Sequence, residues 1–171
     1  MHIVIIGGGF AGINLAKALT NEKGITVTLV DKNNYNFFPP LIYQVATAFL
    51  EPSSISYPFR KFFAGKKNLQ FRLGEFLKVI PTENKITLEL FKNGAFLVDK
   101  KQETSLSGVY AIGDCATIYN NASCETDYIA LASNAVRTGI VAAHNACGHN
   151  LEGIGVQGSN GISIYGLNML S

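Results

Sequence analysis

The chain has 171 residues, of which 47% are apolar and 15% charged, with a formal net charge of +2. That length suits one domain with a sizeable core, and that balance excludes a disordered chain. So small a net charge, with no stripe of lysines and arginines, leaves no electrostatic footprint for nucleic acid.

The first element is the β-branched run His2 to Ile6, which reads as a buried strand. It stops at three successive glycines, and apolar residues resume at helical spacing from Ala11 to Asn21. Gly7, Gly9 and Gly12 thus fit G-x-G-x-x-G in a strand-to-helix turn. The first glycine allows the tight turn, the second lets backbone approach a pyrophosphate, and the third lets helix and strand pack closely. Phosphates then meet the free N–H groups and positive dipole end of the helix. A second strand, expected over 25–30, leads to Asp31, which lies 19 residues after Gly12 and can accept hydrogen bonds from ribose hydroxyls. These parts together point to a dinucleotide site, without saying which dinucleotide.

Further strands are expected at 69–73, 76–80, 85–91, 95–98 and 109–112. Asn93-Gly94 forms the natural turn of a hairpin between "ITLELF" and "FLVD". Ser56 before Tyr57-Pro58 reads as a helix N-cap with proline in the first turn. The strand at 109–112 ends in Gly113-Asp114, which puts a carboxylate at the carboxyl end of a central strand, where open α/β sheets bind ligands. By itself that pair is also ordinary turn chemistry. The longest helix is expected from about Tyr128 to Cys147, ended by Gly148.

Gly7, Gly9 and Gly12 together with Thr104, Tyr110, Gly113 and Asp114 resemble the FAD-binding domain of the pyridine nucleotide-disulfide oxidoreductase superfamily, flavoproteins with two dinucleotide-binding domains. The resemblance implies an α/β, Rossmann-like FAD-binding domain: a parallel sheet with helices, plus a small antiparallel β-meander. It also implies FAD rather than NAD as the cofactor, with Asp114 on the ribityl chain. Residues 1 to about 90 resemble type II NADH dehydrogenases, chiefly through Pro40-Leu41-Ile42-Tyr43-Gln44-Val45-Ala46-Thr47. In those enzymes the segment around Pro40 to Gln44 lies along the flavin ring, and the backbone at the position of Phe76 meets the adenine. Residues from about 93 to 171 resemble NADH oxidases, NADH peroxidases and coenzyme A disulfide reductases. Those enzymes carry a redox cysteine just after the second strand; here no cysteine precedes Cys115.

The resemblance assigns to the cofactor Gly7, Gly9, Phe10, Ala11, Gly12, Asp31, Lys32, Gln44, Phe76, Gly113 and Asp114. Ala130, Leu131 and Ala132 join them, because the first turn of the last helix, "YIALA", would offer backbone N–H groups to the flavin edge that becomes anionic on reduction. A helix N-terminus stabilises such charge by about 0.3–2 kcal/mol. No catalytic residue and no metal ligand is assigned.

In both families a complete NAD(P)H-binding domain interrupts the FAD domain. Here Leu88 to Phe96 passes from one half to the other with no second G-x-G-x-x-G. The expected organisation is a single FAD-binding domain over 1–171, with an N-terminal half (1–92), a C-terminal half (93–150) and a tail (151–171) leading toward an interface domain. The expected function is that of an NAD(P)H:acceptor flavoprotein oxidoreductase, NADH dehydrogenase-like and impaired in NADH oxidation. The electron acceptor, a quinone or another molecule, stays open. The alternatives are a non-catalytic FAD-binding module, natural or cut by engineering, and a nicotinamide-binding βαβ protein.

Other residues carry plainer readings. Cys115, Cys124 and Cys147 are too widely spaced for a C-x-x-C pair or a zinc knuckle, and Cys115 reads as an inert buried thiol. His144 and His149 read as a solvated face and "YNFFPPLIY" as core. "RKFF" with "GKK" reads as solvent-exposed helix ends rather than a membrane contact. The apolar "GISIYGLNML" is a candidate for self-association into a homodimer by edge pairing. With no leader and no membrane-spanning run, the chain reads as cytoplasmic.

Overall fold

The computed structural model describes residues 1–75, 93–158, 161–164 and 167–170. A parallel sheet organises its N-terminal part: β1 (His2–Ile6), β2 (Thr26–Asp31) and β5 (Leu69–Leu73) lie in the order β1-β2-β5. His2 pairs with Thr26, and Val27 pairs with Leu69. Alternation along β2 sends Val27 and Leu29, both fully buried, toward α1 (Phe10–Leu19). Ile13, Leu15, Ala16 and Leu19 of α1 complete that core with Phe59 and Phe63. The connection β1–α1–β2 is the crossover that parallel strands require.

Between β2 and β5 the chain makes an excursion. It comprises β3 (Tyr35–Phe37), a 3₁₀ turn (Pro39–Leu41), α2 (Ile42–Ala46), a second 3₁₀ turn (Pro52–Ile55), β4 (Ser56–Pro58) and α3 (Phe59–Phe62). β3 and β4 pair antiparallel, Phe37 opposite Ser56. That pairing corrects the reading of Ser56 as a helix cap. Its backbone is in the strand, its hydroxyl donates to the Pro52 carbonyl at 3.1 Å, and Pro58 is the residue that caps α3. The excursion also corrects the core assignment of its aromatics: Tyr35, Phe37, Phe38 and Tyr43 are exposed, as is Ile42 between them.

The second part holds a 3₁₀ turn (Gly113–Cys115), the antiparallel pair β6 (Ile118–Asn120) and β7 (Glu125–Asp127), the long helix α4 (Ala132–Ala146) and a hairpin of β8 (Gly161–Ile164) and β9 (Leu167–Leu170). The last apolar segment is thus a hairpin, not one continuous strand. The stretch expected as a central strand at 109–112 is not one. Instead the Thr104 N–H donates to the Val109 carbonyl and the Ala111 N–H to the Gln102 carbonyl, so the segment ladders briefly onto 102–104. Its Tyr110 and Ile112 pack against the core, while β1 remains a sheet edge among the described residues. Residues 95–98 likewise contribute one bridge, Phe96 to Ala116. The strands expected at 76–80 and 85–91 lie outside the described residues. Asn93-Gly94 does turn: Gly94 has φ +86°, and Asn93 Oδ1 accepts the Ala95 N–H at 3.1 Å.

Helix α4 packs across α1 at small residues. A Cβ on Gly139 would stand 2.6 Å from the Ala11 carbonyl oxygen, so the two backbones meet there. This crossing carries the C-terminal half of the chain onto the glycine turn.

Candidate functional site

The turn after β1 is built from constraints on successive glycines. Gly7 has φ +95°, which disfavours any residue with a Cβ. A Cβ on Gly8 would overlap the Phe59 ring, which is fully buried beneath it, and a Cβ on Gly12 would overlap the Gly7 carbonyl oxygen. Gly9 differs, since its Cβ position faces open space. Gly9 caps α1, with the Ile13 N–H bonded to its carbonyl at 3.0 Å. No side chain caps that end, so the first N–H groups of α1 lack intrahelical partners.

Two side chains hold the Gly8 peptide from opposite ends. Its N–H donates to Asp31 Oδ2 at 2.6 Å, and its carbonyl accepts from Asn36 Nδ2 at 3.0 Å. Asp31 Oδ1 accepts the Asn33 N–H at 2.8 Å. Asp31 thus shapes the turn from the tip of β2 and keeps further lone pairs. Asn36 went unnoticed in the sequence, because nothing in its spacing announces a bond to a turn 28 residues earlier.

Across from this turn lies Gly113–Cys115. Gly113 has φ +70° and sits against Ala11 and Ala135. Asp114 is exposed, and its carboxylate has no protein donor among the described residues. Its backbone carbonyl accepts the Tyr128 hydroxyl at 2.9 Å. Between the two turns runs a cleft of about 640 Å³, within the range of small-molecule sites. Gly7, Gly9, Phe10, Ala11 and Gly12 line one wall; Gly113, Asp114, Cys115, Ala132 and Ala135 line the other. Phe37, Pro39 and Pro40 close the end nearest the excursion, and Phe38 stacks edge-on against Phe10 at 5.4 Å.

Helix α4 opens at this cleft, four residues later than expected. Leu131 is extended and caps it, accepting the Ala135 N–H at 2.9 Å. Residues 128–131 are held out of the helix: Tyr128 bonds to Asp114, its N–H bonds to Asp127 Oδ1, and Asn134 Nδ2 bonds to the Ile129 carbonyl. Of the three residues assigned there, Ala132 lines the cleft, whereas Ala130 and Leu131 do not. Lys32 and Gln44 also stand off the cleft wall; the Gln44 amide donates to the Tyr43 hydroxyl at 3.2 Å. Phe76 lies outside the described residues. Cys115 is exposed rather than buried, because its turn faces the cleft.

Two helix N-termini, an open glycine backbone and an unpaired carboxylate therefore share one cleft. Such a set suits a ligand that is anionic in one part and hydroxylated in another. Among the described residues no cluster of three or more metal-binding side chains occurs, and no helix is long and apolar enough to cross a membrane.

The pyridine nucleotide-disulphide oxidoreductase profile matches the chain twice, over residues 1–90 and 79–139. The chain belongs to that family. An NADH oxidase of Streptococcus pneumoniae is 44% identical over 99% of this chain, and an NADH oxidase of Lactococcus lactis is 39% identical over the same share. A type II NADH:quinone oxidoreductase of Mycobacterium tuberculosis is 42% identical over 43% of the chain. The chain spans 41% of the length of that pneumococcal oxidase. Among solved structures, the water-forming NADH oxidase from Lactobacillus brevis bound to NADH is 23% identical, with 95% of this chain and 40% of that one aligned at a TM-score of 0.45.

Proposed function

We propose that the chain is the FAD-binding domain of an NAD(P)H:acceptor flavoprotein oxidoreductase, with residues 1–92 and 93–150 forming the two halves of one cofactor site. The observation that carries this reading is the cleft itself. The glycine turn of the first half and the Gly113–Asp114 turn of the second form its opposite walls. Membership in the family and the NADH oxidase relatives support the same assignment. So does the two-piece profile match, whose pieces meet at 79–90.

The residues present fit the cofactor. The open position beside Gly9 leaves room for a pyrophosphate against the backbone of Gly7 to Gly12. Asp31, with Lys32 beside it, offers a carboxylate to ribose. Asp114, with no competing protein donor among the described residues, is available to a ribityl hydroxyl. Ala132 and the first N–H groups of α4 favour negative charge at the flavin; Ala130, Leu131 and Gln44 are assigned nearby by the family pattern, and Phe76 to the adenine. Bound FAD would supply a two-electron acceptor for hydride. The chain's own part is to bind and orient it.

A second reading, a binding module without turnover, draws on one observation: of the two G-x-G-x-x-G stretches in these 171 residues, Gly7 to Gly12 and Gly153 to Gly158, only the first joins a strand to a helix among the described residues. Positioning supplies much of the rate of hydride transfer. One dinucleotide site filled by FAD leaves NADH weakly held or unheld by this chain. The protein loaded with FAD should absorb at about 450 nm, a property of the flavin. Dithionite should bleach it, whereas NADH in a stopped-flow mixer should do so slowly and without saturation. Fast saturable bleaching would show a nicotinamide site within these residues and overturn the second reading. A protein that takes up no flavin would overturn the first.

A further inference from the structure

Thr138 links α4 to the turn that carries Asp114. It is 5% exposed, and its hydroxyl faces the Asn134 carbonyl at 2.9 Å and the Ala135 carbonyl at 3.1 Å, to which it gives its single proton. The same oxygen accepts the Gly113 N–H at 3.1 Å. Among the described residues that N–H has no other partner. The surroundings leave the turn little freedom to find one. A Cβ on Gly113 would come 2.9 Å from Ala11 Cβ and 3.5 Å from Ala135 Cβ.

The other tethers of the turn lie on its outer side. Tyr128 bonds the Asp114 carbonyl from an exposed position, and the Phe96 N–H bonds the Cys115 carbonyl. Water can replace an exposed hydroxyl, but it cannot reach a buried acceptor without opening the packing.

We propose that Thr138 is a positioning residue for the cofactor: by accepting the Gly113 N–H, its hydroxyl fixes the turn from which the Asp114 carboxylate reaches a ligand hydroxyl. This inference rests on the FAD reading above. Thr138 touches no ligand; it acts through Asp114. Valine at this position keeps the shape and removes the acceptor, whereas serine keeps the acceptor and removes a methyl group.

The test is a fluorescence titration of the apoprotein with FAD, alongside thermal melts. Thr138→Val should bind FAD about tenfold more weakly than wild type, and Thr138→Ser within about twofold of it. In an Asp114→Ala background the valine change should add less than about a further twofold, since the group it positions is gone. If T138V does not melt cooperatively, Thr138→Ala against Thr138→Ser decides the same point. Wild-type affinity in a folded hydroxyl-free variant overturns the proposal. So does a penalty that persists undiminished beside Asp114→Ala, which would make the role one of packing alone. A wild-type protein that binds no FAD overturns the cofactor reading and this proposal together, and that control tells the two failures apart.

Discussion

The glycines of the first turn answer to different forces, and substitutions should separate them. Gly8 and Gly12 are glycines because neighbouring atoms occupy the Cβ position. Alanine at either should lower the melting temperature of the apoprotein, since overpacking costs about 1–3 kcal/mol. Asp114 is the opposite case, an exposed side chain with no protein donor to lose among the described residues. Asp114→Ala should leave the apoprotein melt unchanged while weakening FAD about tenfold to a hundredfold, the worth of one charge-assisted hydrogen bond. An unchanged dissociation constant would return Gly113-Asp114 to plain turn chemistry. The cysteines supply a footprint of the same site. Cys115 is exposed and lines the cleft, Cys124 is exposed elsewhere, and burial, with the Glu22 charge, pushes the Cys147 thiol above its ordinary pKa. Less thiolate at a given pH means slower alkylation. Iodoacetamide followed by mass spectrometry should therefore label Cys115 and Cys124 before Cys147, and FAD should protect Cys115 alone.

Secondary-structure elements show where local pattern suffices and where it does not. Strand β1, the glycine turn, α1 and β2 were legible because their cues are local: β-branched runs, glycine spacing and helical periodicity. The start of α4 was misplaced for a reason outside its own pattern. "YIALA" has helical composition, yet Tyr128, Asp127 and Asn134 hold residues 128–131 in other hydrogen bonds. The stretch 109–112 has the composition of a strand, but 102–104 takes its hydrogen bonds. Within the site, the glycines and Asp114 were readable as motif positions, whereas Asn36 and Thr138 act through contacts between distant segments. Phe59 shows the energetic side of such a contact. It is fully buried on α3, stacks on Phe71 at 5.0 Å and lies under Gly8. Phe59→Ala should cost about 3–5 kcal/mol in urea unfolding. It should also weaken FAD, because the turn loses its floor. Full stability in that variant would contradict the packing described.

Taken together, the two halves of the chain meet chiefly where α4 crosses α1, at Gly139, where the backbones nearly touch. That crossing sets the glycine turn opposite Asp114 and creates the cleft. Gly9 offers the most direct test of whether that cleft is the FAD site. Its φ is −73° and its Cβ position faces open space, so valine strains neither backbone nor packing and projects only into the cleft. The measurement is a titration of apoprotein with FAD, followed by flavin fluorescence, for wild type and Gly9→Val with their thermal melts compared. Wild type should bind one FAD per chain, and Gly9→Val should melt as wild type does and bind none. Stoichiometric FAD in a folded Gly9→Val protein would contradict the account.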